Sequence, residues 1–419
     1  MLLIGPLKRC ADGPHLHNAA AWAKPRMKGA RRTGLFLATA LVATAVTVVM
    51  LRQPSSDSAA ERRVDRDGYR VGAYYYTWYL PQHWKEYGYL GPHLEPLLEP
   101  QLGEYESDDP QVIGTHIRWA AQYGIEFFII SWSYRGSFAD DAARKHLLPA
   151  LAASTVRQAP MIELIAYGEQ NLRDGTFRQR LGEDLEFVAT NYLKHPSALR
   201  VNGRPVLFLY TTRVIPGDVS IWMTDVRARL AGLGVNAFIV ADEAFWQPAD
   251  PMRLRAFDAV TAYNVYEWPR VHHGGWASTS MFFPEVEGLF ARWQAASRAA
   301  GVAFVPNAMP GYNDRGVRLE QGHYVIPRAM QAGASATGFF ERSLDLARRY
   351  TDPALRMVTI TSFNEWHEWT QIEPTRPSGR SPAGDVGTYT QGFPHQNYGL
   401  EYLELLHDKL GGAAVVQSP

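Results

Sequence analysis

The chain has 419 residues, of which 46% are hydrophobic and 20% are charged, and its 42 basic side chains balance 42 acidic ones. A balanced chain of this kind has no electrostatic bias toward nucleic acid, so a neutral ligand suits it better than a polyanion. The single cysteine is Cys10, which excludes a disulfide framework and a thiolate metal site from the rest of the chain.

An uncharged run, GLFLATALVATAVTVVML at residues 34–51, lies near the start of the chain. Its length is close to the roughly 17 to 20 residues that span a bilayer, so it is a transmembrane anchor or a signal peptide. The basic residues within 1–33 predict that this N-terminus is cytoplasmic and that the bulk of the chain is extracytoplasmic, in the periplasm or at the cell surface. Because no small-residue cleavage site directly follows the run, we expect an uncleaved membrane anchor, with secretion as the alternative. Met27 is an alternative start to Met1.

Residues 52–68 are polar and charged, which predicts a linker, and residues 412–419 read as a short tail. Between them, over residues 69–411, short apolar or aromatic runs alternate with longer helical patterns, which is typical of βα units around a parallel sheet.

The predicted strands lie within residues 69–79, 125–133, 159–167, 204–212, 236–243, 257–265, 302–309 and 356–364. The predicted helices between them include residues 109–124, 140–154, 182–195, 218–234 and 285–301. This alternation predicts a (β/α)8 barrel, with an open sheet as the alternative.

Acids, tyrosines and tryptophans collect at the ends of the predicted strands, where (β/α)8 enzymes place their active sites. The first strand ends in YYYTWY, the third in YGEQ, the sixth in YNVYEW and the eighth in FNEWHEWTQIE. Flat aromatic faces that carry hydroxyl or indole donors suit sugar rings. The pattern therefore predicts an oligosaccharide or polysaccharide substrate.

The stretch TSFNEWHEWTQIEP, residues 361–374, supplies the carboxyl groups that glycoside hydrolysis needs on either side of the scissile bond. Glu365 and Glu368 are the candidate catalytic pair. Three residues apart, they would point to opposite faces of a continuing strand, so a turn is needed to bring both to the barrel mouth. Trp366 and His367 are candidates for binding the sugar. The alternative is an acidic loop that is simply solvated.

Five further aromatic side chains are candidates for contact with the sugar, although packing in the core or in the barrel mouth explains them equally well. They are Trp78, Trp132, Tyr210, Tyr263 and Tyr266. No HExxH or comparably spaced cluster occurs, and His272 and His273 form only an isolated pair, so we predict neither a metal nor another cofactor.

The stretch TSFNEWHEWTQIEP resembles the signature of glycoside hydrolase family 99, the endo-α-1,2-mannosidases and endomannanases. The first-strand AYYYTWY, the segment LGEYESDDPQVIGTHIRWAAQYGIEFFIISW and the seventh-strand VPNAMPGYNDRGVR are also similar to family segments. The resemblance covers about residues 70–405.

The resemblance implies a retaining, endo-acting α-glycosidase for α-1,2-mannosidic or related linkages, in which the 2-hydroxyl of the substrate attacks the anomeric carbon to give a 1,2-anhydro sugar. Glu365 matches the family's base, and Glu368 matches the general acid that later acts as base toward water. These roles need Glu365 ionised and Glu368 protonated. Glu169 resembles a further family carboxylate, with a surface acid as the alternative, and Arg318 resembles a family arginine.

Two departures from the family pattern surround the acid pair. Trp369 stands where the family usually carries glycine, and Ser133 replaces an aromatic residue. These changes indicate the same chemistry on a different glycan. The alternative function is a noncatalytic glycan-binding or polysaccharide-assembly barrel.

Overall fold

The computed structural model describes residues 68–85, 98–215, 217–244, 248–265, 279–319, 323–329, 335, 337–377, 388–390 and 396–411, all of which belong to the unit Asp65–Pro419. The predicted N-terminus, anchor and tail, and all but the last residue of the predicted linker, lie outside these residues. Within the described ranges no helix is long and apolar enough to cross a membrane.

Each of the eight predicted strand regions contains strand structure. The strands are β1 (Arg70–Tyr75), β2 (Phe127–Trp132), β3 (Arg157–Glu163), β4 (Arg200–Val201), β5 (Arg204–Tyr210), β6 (Phe238–Asp242), β7 (Ala259–Thr261), β8 (Ala303–Phe304), β9 (Asn307–Ala308) and β10 (Met357–Ile360). The short β4, which was not predicted, pairs antiparallel with β5.

The other strands pair in parallel, in the order β8-β7-β6-β5-β3-β2-β1-β10-β9. β8 and β9 are two parts of one short segment, because β8 pairs with β7 on one side and β9 pairs with β10 on the other. Parallel pairing thus continues from segment to segment around the sheet, in agreement with the predicted (β/α)8 barrel.

Helices occupy the connections between the strands. They are α1 (Pro81–Lys85), α2 (Pro110–Gln122), α3 (Phe138–Ala142), α4 (Leu148–Ala152), α5 (Glu169–Asp174), α6 (Phe177–Val188), α7 (Val219–Gly232), α8 (Pro251–Leu254), α9 (Thr279–Ala300), α10 (Arg315–Arg318), α11 (Gly338–Tyr350) and α12 (Glu401–Leu410). Short π-helical segments continue α3 and α6. The five predicted helices coincide with α2, α3 to α4, α6, α7 and α9.

Local sequence chemistry accounts for the boundaries of these elements. The side chain of Asp109 accepts a hydrogen bond from the N–H of Gln111, and Pro110 occupies the first helical turn, so α2 begins there. All six residues of β2 are buried, as expected for a parallel strand covered on both faces. Gly72 of β1 faces the ring of Phe127, and a Cβ at this position would lie 2.2 Å from that ring. Only glycine fits this close approach.

The helix α12 is tied to the segment after β10 by Arg328, which is fully buried. Its Nη2 donates to the carbonyl oxygens of Trp369 at 2.8 Å and Gln371 at 2.9 Å. Its guanidinium carbon lies 5.3 Å from the ring centroid of Tyr398 and 5.1 Å from that of Tyr402, within cation–π range. One side chain therefore connects the last described helix to the loop that carries the candidate acids.

Candidate active site

The loop after β10, residues 361–375, folds back on itself. The N–H of Glu365 donates to Ser362 Oγ at 2.8 Å, and the N–H of Ser362 donates to the carbonyl of Thr370 at 2.8 Å. The N–H of Thr370 in turn donates to the carbonyl of Glu365 at 3.2 Å, across a turn at residues 366–369. We name residues 361–375 the catalytic loop, and this turn is the one that the spacing of the two acids requires.

Asn364 joins the catalytic loop to the end of the first strand. Its Oδ1 accepts from the N–H of Tyr76 at 2.8 Å, and its Nδ2 donates to the carbonyl of Tyr76 at 2.9 Å. The hydroxyl of Tyr76 donates to the hydroxyl of Tyr263 at 2.7 Å, and the ring of Tyr263 lies edge-on to Tyr210 at 5.4 Å. The predicted residues Tyr210 and Tyr263 are therefore adjacent, and Tyr263 reaches the first strand at the barrel mouth.

Glu365 is 3% exposed and is held through one carboxylate oxygen. Oε1 accepts from the N–H of His367 at 2.8 Å and lies 3.1 Å from His367 Nδ1. Burial raises the pKa of Glu365 to about 8, and the charge of Glu163 adds to the rise, whereas the backbone N–H groups of His367 and Glu368 oppose it. Burial therefore favours the protonated form of Glu365 at neutral pH, whereas the predicted role as base uses the ionised form.

His367 contacts Glu365 as a neutral imidazole and not as the cation of an ion pair. Burial lowers the pKa of His367 to about 4, so the imidazole is neutral at neutral pH. The same loss of water pushes both groups toward their uncharged forms. The predicted site residue His367 thus contacts the candidate base itself.

Glu163, the last residue of β3, is a site residue that the sequence analysis missed. Its Oε2 accepts from Ser133 Oγ at 2.8 Å, and its Oε1 accepts from Ser131 Oγ. Burial raises the pKa of Glu163, although the two hydroxyl donors oppose the rise. Ser133, which stands in place of a family aromatic, therefore has a defined partner in this chain.

Glu169 was predicted from its resemblance to a family carboxylate, in the segment YGEQ after the third predicted strand. The strand ends at Glu163, and a 3-10 turn, Leu164–Tyr167, separates it from Glu169 at the start of α5. The side chain of Glu169 lies outside the described part of the molecule, as does all of Tyr266. The signal that could have identified Glu163 is its position as the one charged residue in the apolar run 159–167.

Glu368 has surroundings unlike those of Glu365. Its side chain is 19% exposed, and Oε1 lies 3.7 Å from Nη2 of Arg318. Arg318 Nε donates to Asp314, whose other carboxylate oxygen faces His323 Nδ1. Burial disfavours the charge on Arg318, but Asp314, Tyr312 and Glu368 outweigh burial and raise the pKa of Arg318 further. The predicted residue Arg318 therefore places a permanent positive charge beside Glu368.

The three predicted tryptophans have different positions. Trp78 is partly exposed, and its ring lies edge-on to His367 at 5.6 Å. Trp366 is buried, and its Nε1 donates to Glu373 at 2.8 Å. Trp132 is also buried, with Nε1 donating to Asp140 at 3.0 Å. Trp78 therefore keeps part of its surface exposed beside His367, whereas Trp366 and Trp132 are packed and hydrogen-bonded, and contact of any of the three with a sugar stays a prediction.

Trp369 has a backbone φ of 50°, in the left-handed region that bulky residues rarely adopt. Its indole is fully buried, and its carbonyl is held by Arg328. Glycine adopts this conformation without strain, which gives a physical reason for the glycine that the resembling family usually carries. In this chain, burial and hydrogen bonding hold the tryptophan there instead.

A pocket of about 400 Å³ lies beside the catalytic loop. Its lining residues are Trp84, Leu98, Glu99, Pro100, Gly103, Glu104, Trp366, Trp369 and Arg376. The two indoles of the loop thus line this pocket, whereas neither Glu365 nor Glu368 does. Among the described residues, no group of three or more His, Cys, Asp or Glu side chains is arranged to hold a metal ion. His272 and His273 lie outside those residues.

Comparison with known proteins adds independent information. The family model described as Glycosyl hydrolase family 99 matches residues 93–229. The Glycoprotein endo-alpha-1,2-mannosidase-like protein of Danio rerio is 24% identical over 344 residues, which cover 74% of this chain and 72% of that protein. The Glycoprotein endo-alpha-1,2-mannosidase of Mus musculus is 23% identical over 345 residues, which cover 74% of this chain and 68% of that protein.

A solved structure agrees with these matches. The GH99 endo-alpha-mannosidase from Bacteroides thetaiotaomicron superposes with a TM-score of 0.57 at 20% identity, over 81% of this chain and 96% of that chain. These comparisons support assigning the chain to glycoside hydrolase family 99.

The family 99 assignment indicates that the protein is a glycoside hydrolase. The region matched by the family model includes β2, β3 and Glu163, and it ends before the catalytic loop. The roles of Glu365 and Glu368 therefore stay predictions, based on the resemblance of the loop to the family 99 signature and on the geometry above.

Proposed function

We propose that this protein is a retaining, endo-acting α-glycosidase for α-1,2-mannosidic or related linkages in an oligosaccharide or polysaccharide. The observation that carries the proposal is the contrast between two acids on one turn. Glu365 is buried beside Glu163 and His367, whereas Glu368 is partly exposed beside Arg318. Two carboxyl groups in different environments can divide the roles of base and acid. The names of the family 99 relatives support the choice of linkage.

In the first step of the proposed reaction, ionised Glu365 removes the proton from the 2-hydroxyl of the substrate. The 2-oxygen attacks C1 and forms the 1,2-anhydro sugar as the bond from C1 to the leaving oxygen breaks. Glu368 gives its proton to that oxygen. A raised pKa makes Glu365 a stronger base toward a hydroxyl group, provided that the pH is high enough to ionise it.

In the second step, water attacks C1 and the bond from C1 to the 2-oxygen breaks. Glu368, now a carboxylate, takes a proton from the water, and Glu365 returns its proton to the 2-oxygen. Two inversions at C1 give net retention, and both acids recover their starting states. The permanent charge of Arg318 offsets the negative charge that Glu368 carries between the steps.

The test incubates full-length protein with a panel of α-1,2-, α-1,3- and α-1,6-linked mannans and oligosaccharides, and follows the anomer of the first product by NMR. We expect internal cleavage with retention. Glu183→Gln, which alters an exposed ion pair with Arg135, is the matched control for E365Q and E368Q. Full activity in either site variant would contradict the assignment.

An activated substrate separates the two proposed roles. A glycosyl fluoride of the cleaved sugar needs no proton on its leaving group, so E368Q should still form the anhydro sugar from it, whereas E365Q should not. Glycan binding measured by calorimetry without cleavage of any panel member would instead favour the noncatalytic binding function.

We also propose an extracytoplasmic location with an N-terminal membrane anchor, because the uncharged run 34–51 follows a basic segment. Alkaline extraction of membranes should leave the protein in the membrane fraction, and added protease should reach it from outside the cytoplasm. N-terminal sequencing of the mature protein decides whether the segment is cleaved. Release by alkali together with an intact N-terminus would contradict the anchor.

A further inference from the structure

Tyr79 lies directly behind the proposed base and is fully buried. Its hydroxyl donates to the carbonyl of Asn364 at 2.8 Å and accepts from the N–H of Trp366 at 2.9 Å. These two backbone groups stand on either side of Glu365. One phenol oxygen therefore fixes the chain immediately before and immediately after the residue that carries the reactive carboxyl.

The ring of Tyr79 also holds the partner of that carboxyl. It stacks on the imidazole of His367, with centroids 5.4 Å apart and ring planes 16° apart. It also stacks on Trp84, with centroids 4.9 Å apart. The imidazole in turn places Nδ1 at 3.1 Å from Glu365 Oε1. Tyr79 thus controls the backbone of Glu365 through its hydroxyl and the imidazole through its ring.

We propose that Tyr79 is a positioning residue that fixes both the place of Glu365 and the orientation of the imidazole that contacts its carboxyl group. The proposal rests on the proposed role of Glu365 as base. Without the hydroxyl, a buried carbonyl and a buried N–H lose their partner, so the backbone around Glu365 can shift. A misplacement of about 1 Å can lower a rate by about 100-fold, because the reacting atoms must meet in one geometry.

The main test compares Tyr79→Phe with Tyr192→Phe. Tyr192 is also fully buried, and its hydroxyl donates to Asp140 at 2.7 Å. We expect Y79F to lower kcat by about 10- to 100-fold with KM within twofold of the wild-type value, and to move the pH at which kcat/KM rises. Y192F should lower Tm by a similar amount and keep kcat within about twofold. If Y79F keeps the wild-type kcat and the wild-type pH profile, Tyr79 has only a packing role and the proposal is overturned.

A second measurement needs no substrate and so separates failure of this proposal from failure of the proposed function. The infrared band of the protonated Glu365 carboxyl is identified as the band that E365Q removes, and its titration is followed in wild type, Y79F and Y192F. The titration midpoint should move in Y79F and stay in place in Y192F. An unmoved midpoint in Y79F would contradict the proposal even if no glycan is cleaved.

A double-mutant cycle tests whether the effect of Tyr79 on Glu365 passes through His367. His367→Phe keeps a ring to stack on Tyr79 and removes Nδ1. If Tyr79 acts through His367 and Glu365, Y79F should have a much smaller effect on the titration midpoint in the H367F background than in wild type. Additive shifts would show that Tyr79 acts on Glu365 independently of His367, and the proposed role of Tyr79 in orienting the imidazole would be wrong.

Discussion

Glu365 and Glu373 are two buried glutamates of the same loop, but the side chains around their carboxyl groups differ. Glu373 is fully buried and faces three side-chain donors: Trp366 Nε1 at 2.8 Å, the hydroxyl of Tyr105 at 2.9 Å and His116 Nε2 at 3.1 Å. Among the described side chains, Glu365 has one hydrogen-bonding partner, His367, and it lies close enough to Glu163 for the two charges to oppose each other.

The difference shows that burial alone does not make an acid reactive. A carboxylate with several donors holds its neighbours in place, whereas a carboxyl group beside another acid can gain and lose a proton near neutral pH. Glu373 therefore anchors the catalytic loop, whereas Glu365 is the acid to which the proposed function assigns the chemistry. Substitutions at four positions test this comparison and the geometry of the loop.

E365Q should have the largest effect on activity and little cost in stability. We expect kcat/KM to fall by at least about 1,000-fold, because the proposed base is lost. The folded pKa of Glu365, about 8, lies above its ordinary value of 4.5, so wild-type stability falls as pH rises from 4.5 to 8. E365Q lacks this pH-dependent loss of stability. Above pH 8 its free energy of unfolding, measured in urea, should therefore be higher than that of wild type. Lower stability than wild type at pH 9 would contradict the comparison.

E373Q should have the opposite effect, with a large loss of stability and a small loss of activity. An amide cannot accept from all three donors as a carboxylate does, so the free energy of unfolding should fall by about 3 kcal/mol, as measured in urea. The value of kcat should fall by less than about 10-fold. If E373Q lost activity as completely as E365Q while keeping its stability, the two glutamates would not differ in the way described.

Trp369 lies between Glu365 and Glu373 in the sequence, and its substitutions test whether the backbone of the loop is strained. Both W369A and W369G should lose about 3 kcal/mol of stability because a buried indole is removed. At a φ of 50°, however, glycine should be about 1 kcal/mol more stable than alanine, the reverse of the usual order. Trp366 lacks this positive φ and is the matched control, where alanine should be the more stable replacement. The usual order at Trp369 would contradict the strained geometry.

E163Q tests the charge that acts on Glu365. Removing the negative charge of Glu163 lowers the pKa of Glu365, so the rise of kcat/KM with pH should move from about 8 to lower pH. Full pH profiles of wild type and E163Q measure the change, and Glu183→Gln should leave the profile in place. A move to higher pH would show that Glu163 does not raise the pKa of Glu365.

Much of this architecture follows from the sequence. Apolar runs at regular spacing identified the eight strand regions, because parallel barrel strands are buried on both faces. The same pattern placed Glu365 and Glu368 after the last strand. The position of the strand end within a continuous apolar run does not show in the pattern, so the sequence did not single out Glu163 at the end of β3.

The sequence also does not predict which way an individual side chain points in the fold. Trp132 ends β2 as expected, but whether its ring faces the sugar or the interior depends on Asp140, which only the fold brings beside it. Likewise, which acid of the pair is buried depends on Glu163, Tyr79 and His367, which come from three different strand ends. Contacts between distant segments of the chain decide both points.

The catalytic loop depends on the pairing of β1 with β10 and on the Arg328 contact, so it can fold only after all of these segments have been synthesised. The catalytic loop needs the first strand on one side and Tyr398 and Tyr402 of the last described segment on the other. A chain grows from its N-terminus at about 5 to 20 residues per second, so these partners can meet only after Tyr402 has been synthesised. An incomplete chain can therefore form many of its βα units and still have no working site.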